Sequence, residues 1–159
     1  MIGISKNKFE PMISTLRAMI SQIIYNLEKM PQTTAKHNFT DVPNKVWYEQ
    51  SLNFTFDKKI MVGFPDKSFR GNSEITREQM AKVLYRYAIY KGYDSNTDAD
   101  MSKYTDFKQV GDWAKESVKW AVKHNIIKGR TNTSIEPKAE LTRAELAQIL
   151  KNFHSEFVK

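Results

Sequence analysis

Apolar residues recur with a helical period in several stretches of the chain. In the last of these, Leu146, Ile149, Leu150 and Phe153 follow at i, i+3, i+4 and i+7, a single apolar stripe. Thr142 precedes the stripe and Glu145 stands three residues after Thr142, the pattern of a capping box. Ile75-Thr76-Arg77-Glu78-Gln79 introduces a second stripe, Met80, Val83, Leu84 and Tyr87. Thr15-Leu16-Arg17-Ala18-Met19 introduces a third, Ile20, Ile23, Ile24 and Leu27. The start of each helix carries an arginine, and Arg17, Arg77 and Arg143 stand 60 and 66 residues apart. Self-similarity at such a period is the signature of a repeat protein. A cation in the first turn opposes the helix dipole, so these arginines serve something other than helix stability, and an anion is the candidate.

A second helix precedes each capped one. Asn38-Phe39-Thr40-Asp41-Val42-Pro43 and Trp47 lead into a helical pattern through Ser51, Leu52, Phe54 and Thr55 to Ile60, stopped at Gly63. The same order returns as Tyr104-Thr105-Asp106-Phe107, Trp113, Val118, Trp120, Ile126 and Gly129. Trp47 to Trp113, Gly63 to Gly129 and Arg77 to Arg143 are each 66 residues. The first copy keeps only its back half, Gly3, Phe9 and Arg17 at the spacing of Gly63, Phe69 and Arg77. The chain thus divides into a partial repeat over 1–33, a second repeat over 34–96 and a third over 97–159, with polar linkers at 31–37 and 92–100.

Gly63 and Gly129 suit the left-handed residue that ends a helix. Pro11, Gly71 and Pro137 mark the loop before each capped helix. No strand-like alternation persists, and the expected fold is all-α. A single unit cannot bury both of its apolar faces, so the units must pack on one another.

Composition narrows the function. There are 25 Lys and Arg against 18 acids, a formal charge of +7, which favours an anionic partner such as an acidic polysaccharide, an acidic membrane or nucleic acid. The cations are scattered, without a basic recognition helix, so nucleic acid is the weaker choice. The absence of cysteine excludes disulfides and thiolate chemistry. No apolar run approaches the roughly 18 residues of a membrane span, and the first residues lack a signal-peptide core, which reads as a mature or excised piece. His37, His124 and His154 have no metal-ligand spacing. Asp94 to Asp100 looks like the start of a calcium loop, but Ala99 stands where glycine belongs and Thr105 where a bidentate glutamate belongs, so it reads as a solvated linker. No catalytic residue, cofactor or metal site is expected.

The ordered set FTDVP, Trp47, Gly63-Phe64-Pro65-Asp66 and Ile75-Thr76-Arg77-Glu78 resembles the S-layer homology (SLH) domain, and Tyr104-Thr105-Asp106-Phe107 through Leu141-Thr142-Arg143-Ala144-Glu145 repeats it. The resemblance implies a pseudo-threefold helical spindle with the three arginine helices as a central bundle. It implies a secreted, non-enzymatic anchor that holds an acidic, pyruvylated secondary cell-wall polysaccharide, linked to peptidoglycan, in grooves between repeats. Arg77 and Arg143 would then contact the ligand carboxylate, which a planar guanidinium suits bidentately. Arg17 maps to the same position, though Leu16 and Met19 replace its capping residues. Trp47 and Trp113 are read as core wedges, with stacking on a sugar ring as the functional alternative. Asp41 and Asp106 are read as caps of the turn before their helix, with a sugar hydroxyl contact as the alternative. Gly63 and Gly129 would also let a ligand approach the backbone. Self-association through the incomplete first repeat is the competing function.

Overall fold

The structure is a computed structural model that describes residues 10–158. Gly3 and Phe9, which mark the start of the partial first repeat, lie outside the described residues. Five α-helices are present among them: α1 Arg17–Leu27, α2 Glu49–Asp57, α3 Arg77–Lys91, α4 Lys115–Lys123 and α5 Arg143–Phe157. Short 3-10 turns at Phe107–Gln109 and Asp112–Ala114 lead into α4. The described residues contain no strand, only three isolated antiparallel bridges, Ser14–Thr142, Leu16–Glu74 and Thr76–Glu140. The all-α reading holds.

The chain forms two compact units. One is Thr15–Glu74; the other joins Met1–Ser14 to Ile75–Lys159. Within Thr15–Glu74, α1 packs on α2. Ile20, Ser21, Ile24 and Tyr25 are buried, whereas Leu27 is exposed, so the buried face of α1 is rotated from the expected stripe. Tyr25 meets Phe54 at 5.7 Å between ring centroids, and the Ser21 and Ser51 hydroxyls pair at 3.1 Å. In α2 the five residues Ser51 to Thr55 are all buried, and its polar ones bond locally, Thr55 Oγ1 donating to the Ser51 carbonyl at 2.9 Å.

In the other unit, Met80, Val83, Leu84 and Tyr87 of α3 are buried as their spacing predicts, and so are Leu146, Ile149 and Phe153 of α5. Tyr87 stacks on Phe153 at 5.6 Å, Trp120 on Phe157 at 5.9 Å, and Tyr93 on Phe157 at 5.0 Å. Trp120 is fully buried, and its indole N–H donates to the Asp94 carbonyl at 2.9 Å. In the linker, Asp94, Asn96 and Asp100 turn their side-chain oxygens onto backbone N–H groups two residues ahead, at 2.8–2.9 Å. These Asx turns account for the calcium-loop look of that segment.

The helix stops differ from the expectation. α2 ends at Asp57, and the left-handed residue that closes it is Lys59 (φ 57°), not Gly63. The Ile60 N–H reaches the Thr55 carbonyl at 2.8 Å and the Lys59 N–H the Phe56 carbonyl at 3.0 Å, a Schellman closure. Asn125 (φ 54°) closes α4 in the same way. Gly63 is left-handed (φ 72°) but lies further on, in a loop; Gly129 is not left-handed. Crowding is what demands glycine at both. A Cβ on Gly63 would overlap the Phe39 ring and sit 2.6 Å from the Ser68 carbonyl oxygen, and one on Gly129 would sit 2.8 Å from the Ser134 oxygen and from the Tyr104 ring.

Candidate functional site

Each arginine helix begins by docking on a loop. The Arg17 and Ala18 N–H groups donate to the Ser73 and Gly71 carbonyls at 3.0 and 2.9 Å, within Thr15–Glu74. In the other unit, Arg77 and Glu78 donate to Ala139 and Pro137, each at 3.0 Å, and Arg143 and Ala144 to Ile13 and Pro11 at 2.9 and 3.0 Å. The same joint therefore occurs three times. Thr76 and Thr142 cap the next free donors through complete capping boxes, while Leu16 has no side-chain cap. These N-terminal N–H groups already hold protein acceptors, which turns attention from the helix ends to the arginine side chains.

All three arginines are buried: Arg17 is 6% exposed, Arg77 4% and Arg143 5%. Nε of Arg17 donates to the Phe69 carbonyl at 2.9 Å, and Nε of Arg77 to the carbonyl of Ile135, the position equivalent to Phe69, at 2.7 Å. Arg77 spends a second nitrogen on the Lys128 carbonyl at 2.6 Å and faces Glu145 at 3.7 Å. Burial and then the charge of Arg130 lower the pKa of Arg77, opposed by Glu145, Glu136 and Asp106. Around it, Arg130 pairs with Glu145 and with Glu136, both at 2.7 Å.

The Arg17 joint has a different shell. Its guanidinium lies over the Phe64 ring at 4.7 Å, and that of Arg70 over the same ring at 4.2 Å. Burial, then the like charge of Arg70, pull Arg17 down to about 10, with Asp41 as the opposing acid. Arg130 and Phe64 are equivalent positions, as are Glu136 and Arg70. The sequence marks Phe64 only as part of the Gly-Phe-Pro-Asp motif and gives Arg70, Arg130 and Glu136 no role; matching the two copies position by position exposes the exchange.

Asp41 and Asp106 do not cap the turn before their own helix. Asp41 accepts the N–H groups of Phe69 and Arg70, each at 2.7 Å. Asp106 accepts those of Ile135 and Glu136 at 3.0 and 2.7 Å, and the Ser134 hydroxyl at 2.7 Å. Each aspartate thus pins the loop whose carbonyl holds the buried arginine. A short side chain with two acceptor oxygens can bridge two consecutive N–H groups, and the loop offers them where the preceding turn does not. Gly63 and Gly129 lie in these same loops.

The core-wedge reading of the tryptophans is overturned. Trp47 is 63% and Trp113 51% exposed. Trp47 leans edge-on against Tyr48 at 5.1 Å, and Trp113 lies beside Gly111. In α4 the aromatic that fills the core is Trp120, one helical turn inside the element, where a side chain points to the neighbouring helix rather than to the entry loop. A separate open cleft, lined by Ala35, Lys36, Phe56, Asp57, Lys59 and Val62, includes none of the residues expected at a site.

Comparison with known proteins places this arrangement. The model of the S-layer homology domain matches residues 38–81 and 103–147, together more than half of the chain. The chain is 32% identical over 150 residues to the exoglucanase XynX of Acetivibrio thermocellus, covering 93% of this chain and 14% of that protein. It is 27% identical over 150 residues to the surface-layer 125 kDa protein of Lysinibacillus sphaericus, covering 92% and 12%. It is 26% identical over 148 residues to a cellulosome-anchoring protein of A. thermocellus, covering 89% and 32%. The chain spans less than a third of the length of each of these relatives. Two matched segments, each ending in a capped arginine helix docked on a loop, carry the assignment: the chain belongs to the S-layer homology domain family.

Proposed function

We propose that this chain is a non-covalent, non-catalytic module that anchors a protein to the cell surface by binding a cell-wall polymer. The observation that carries the reading is the family match in two successive segments, shared with proteins named for the surface layer and for cellulosome anchoring. The exoglucanase matches over only 14% of its length, so the shared region is not evidence of glycan cleavage here. No helix among the described residues is long and apolar enough to cross a membrane.

The finer reading is that the polymer is an acidic, pyruvylated secondary wall polysaccharide linked to peptidoglycan. Arg17, Arg77 and Arg143 supply buried positive charge at the joints, and the exposed faces of Trp47 and Trp113 offer apolar platforms to sugar rings. Asp41, Asp106, Gly63 and Gly129 shape the loops of those joints. The test is calorimetric titration with purified wall polymer before and after removal of its pyruvyl ketals. Binding that depends on the ketals supports the reading; equal binding without them refutes the acidic ligand.

A second reading, self-association, is favoured by Met12 and Ile13, 78% and 43% exposed on the loop that receives the start of α5. Sedimentation that changes with concentration would identify it.

A further inference from the structure

The Arg17 and Arg77 joints hold their arginines against opposite surroundings. Arg77 is faced by one cation, Arg130, and by three acids, Glu145, Glu136 and Asp106. The donors of Arg130 are themselves committed: to Glu136, to Glu145 and to the Glu140 carbonyl at 3.2 Å. This network is already neutralised, and an incoming carboxylate would meet Glu136 and Glu145 as repulsion. At the Arg17 joint the acid of position 136 has become the cation Arg70, and the cation of position 130 has become the uncharged Phe64. Two guanidiniums then share one aromatic ring. Among the described residues, Asp41 is an acid that faces Arg17, and both of its oxygens are occupied by backbone N–H groups at 2.7 Å. Arg70 is 49% exposed and is held to Ser68 at 3.0 Å and to Asp66 at 2.9 Å. That i,i+4 pair is open to water at both ends, so it screens Arg70 weakly.

We infer that the joints are unequal, and that Arg70, held over Phe64 with Arg17 behind it, is the contact that reads the carboxylate of the anionic wall glycan, while the Arg77 network is structural. The inference rests on the anchoring function proposed above and narrows it. A carboxylate approaching from solvent meets the half-exposed Arg70 first. The buried Arg17 adds attraction from a region of low dielectric without having to move. The ligand class is a sugar acid or a ketal-linked carboxylate, not a neutral glycan.

The test compares the intact chain with Arg70→Gln, Arg70→Glu and Lys67→Gln, the last removing one positive charge from the same loop. Affinity is measured for pyruvylated wall polymer and for a methyl hexoside carrying a 4,6-pyruvate ketal, with the Arg side-chain Nε–H resonances followed by NMR. We expect Arg70→Gln to weaken both ligands at least tenfold, Arg70→Glu to abolish binding of the small ketal, and Lys67→Gln to stay within about twofold. The Nε–H resonances of Arg17 and Arg70 should move on titration and that of Arg77 should not. Polymer binding by Arg70→Glu within twofold of the intact chain, or ketal-induced shifts at Arg77 alone, would overturn the inference and leave the anchoring function standing. An intact, folded chain that binds no polymer would overturn both.

Discussion

The Asp106 carboxylate and the Ile135 N–H, 29 residues apart in sequence, meet at 3.0 Å, and the same carboxylate takes the Glu136 N–H and the Ser134 hydroxyl. Burial pushes the Asp106 carboxyl up, but these donors outweigh it and hold it below the usual carboxylate range. A depressed carboxyl stabilises the fold above the unfolded value of about 3.9, and that contribution is lost as pH falls through the lower folded value. Asp106→Asn keeps one acceptor and the shape. It should cost about 1.5–3 kcal/mol near neutral pH, in the range of hydrogen bonds to charged groups. The gap in urea midpoint should close as pH drops from about 7 to about 2; a gap that stays constant would mean that the charge is irrelevant.

Leu16 sets the backbone of an N-cap (φ −84°, ψ 149°) without supplying the bond that Thr76 and Thr142 supply. Replacing it in the double variant Leu16→Thr, Met19→Glu should build the missing capping box and stabilise the chain by about 0.5–1 kcal/mol. Thr142→Ala should lose about 1 kcal/mol. Thermal unfolding of both variants measures the two effects with opposite signs.

Tryptophan substitutions should separate surface from core. Trp120 is fully buried within the aromatic cluster, and Trp120→Ala should cost about 3–5 kcal/mol. Trp47→Ala and Trp113→Ala should each cost less than about 1 kcal/mol, since both rings are more than half exposed. Acrylamide should correspondingly quench two of the three indoles readily. A severe loss on Trp47→Ala would contradict the exposed placement.

Gly63→Ala combines a left-handed φ of 72° with a Cβ that overlaps the Phe39 ring. It should destabilise by more than about 2 kcal/mol. Gly92→Ala, at a similar φ of 71° but in open space, should cost only about 1 kcal/mol. Chemical denaturation of the pair isolates the steric part from the backbone part.

The helical period, the Thr-x-x-Glu/Gln spacing and the 66-residue recurrence determined the helices, two of their caps and the repeats, because these are local or periodic properties of the chain. The same recurrence carried Arg17, Arg77 and Arg143 to equivalent positions. What only tertiary structure decided is what each of these residues faces. Trp47 and Trp113 sit at the entry of their helices, and only the packing shows that the entry lies in water while Trp120 fills the core. Asp41 and Asp106 look like local caps, yet their partners lie 28 to 30 residues away. The exchange of Arg130 and Glu136 for Phe64 and Arg70 is visible as four letters, but its consequence depends on each pair gathering around its own buried guanidinium, Arg77 for the first and Arg17 for the second. Charge is a property of the sequence; the potential at a buried group is a sum over distances that only the fold sets.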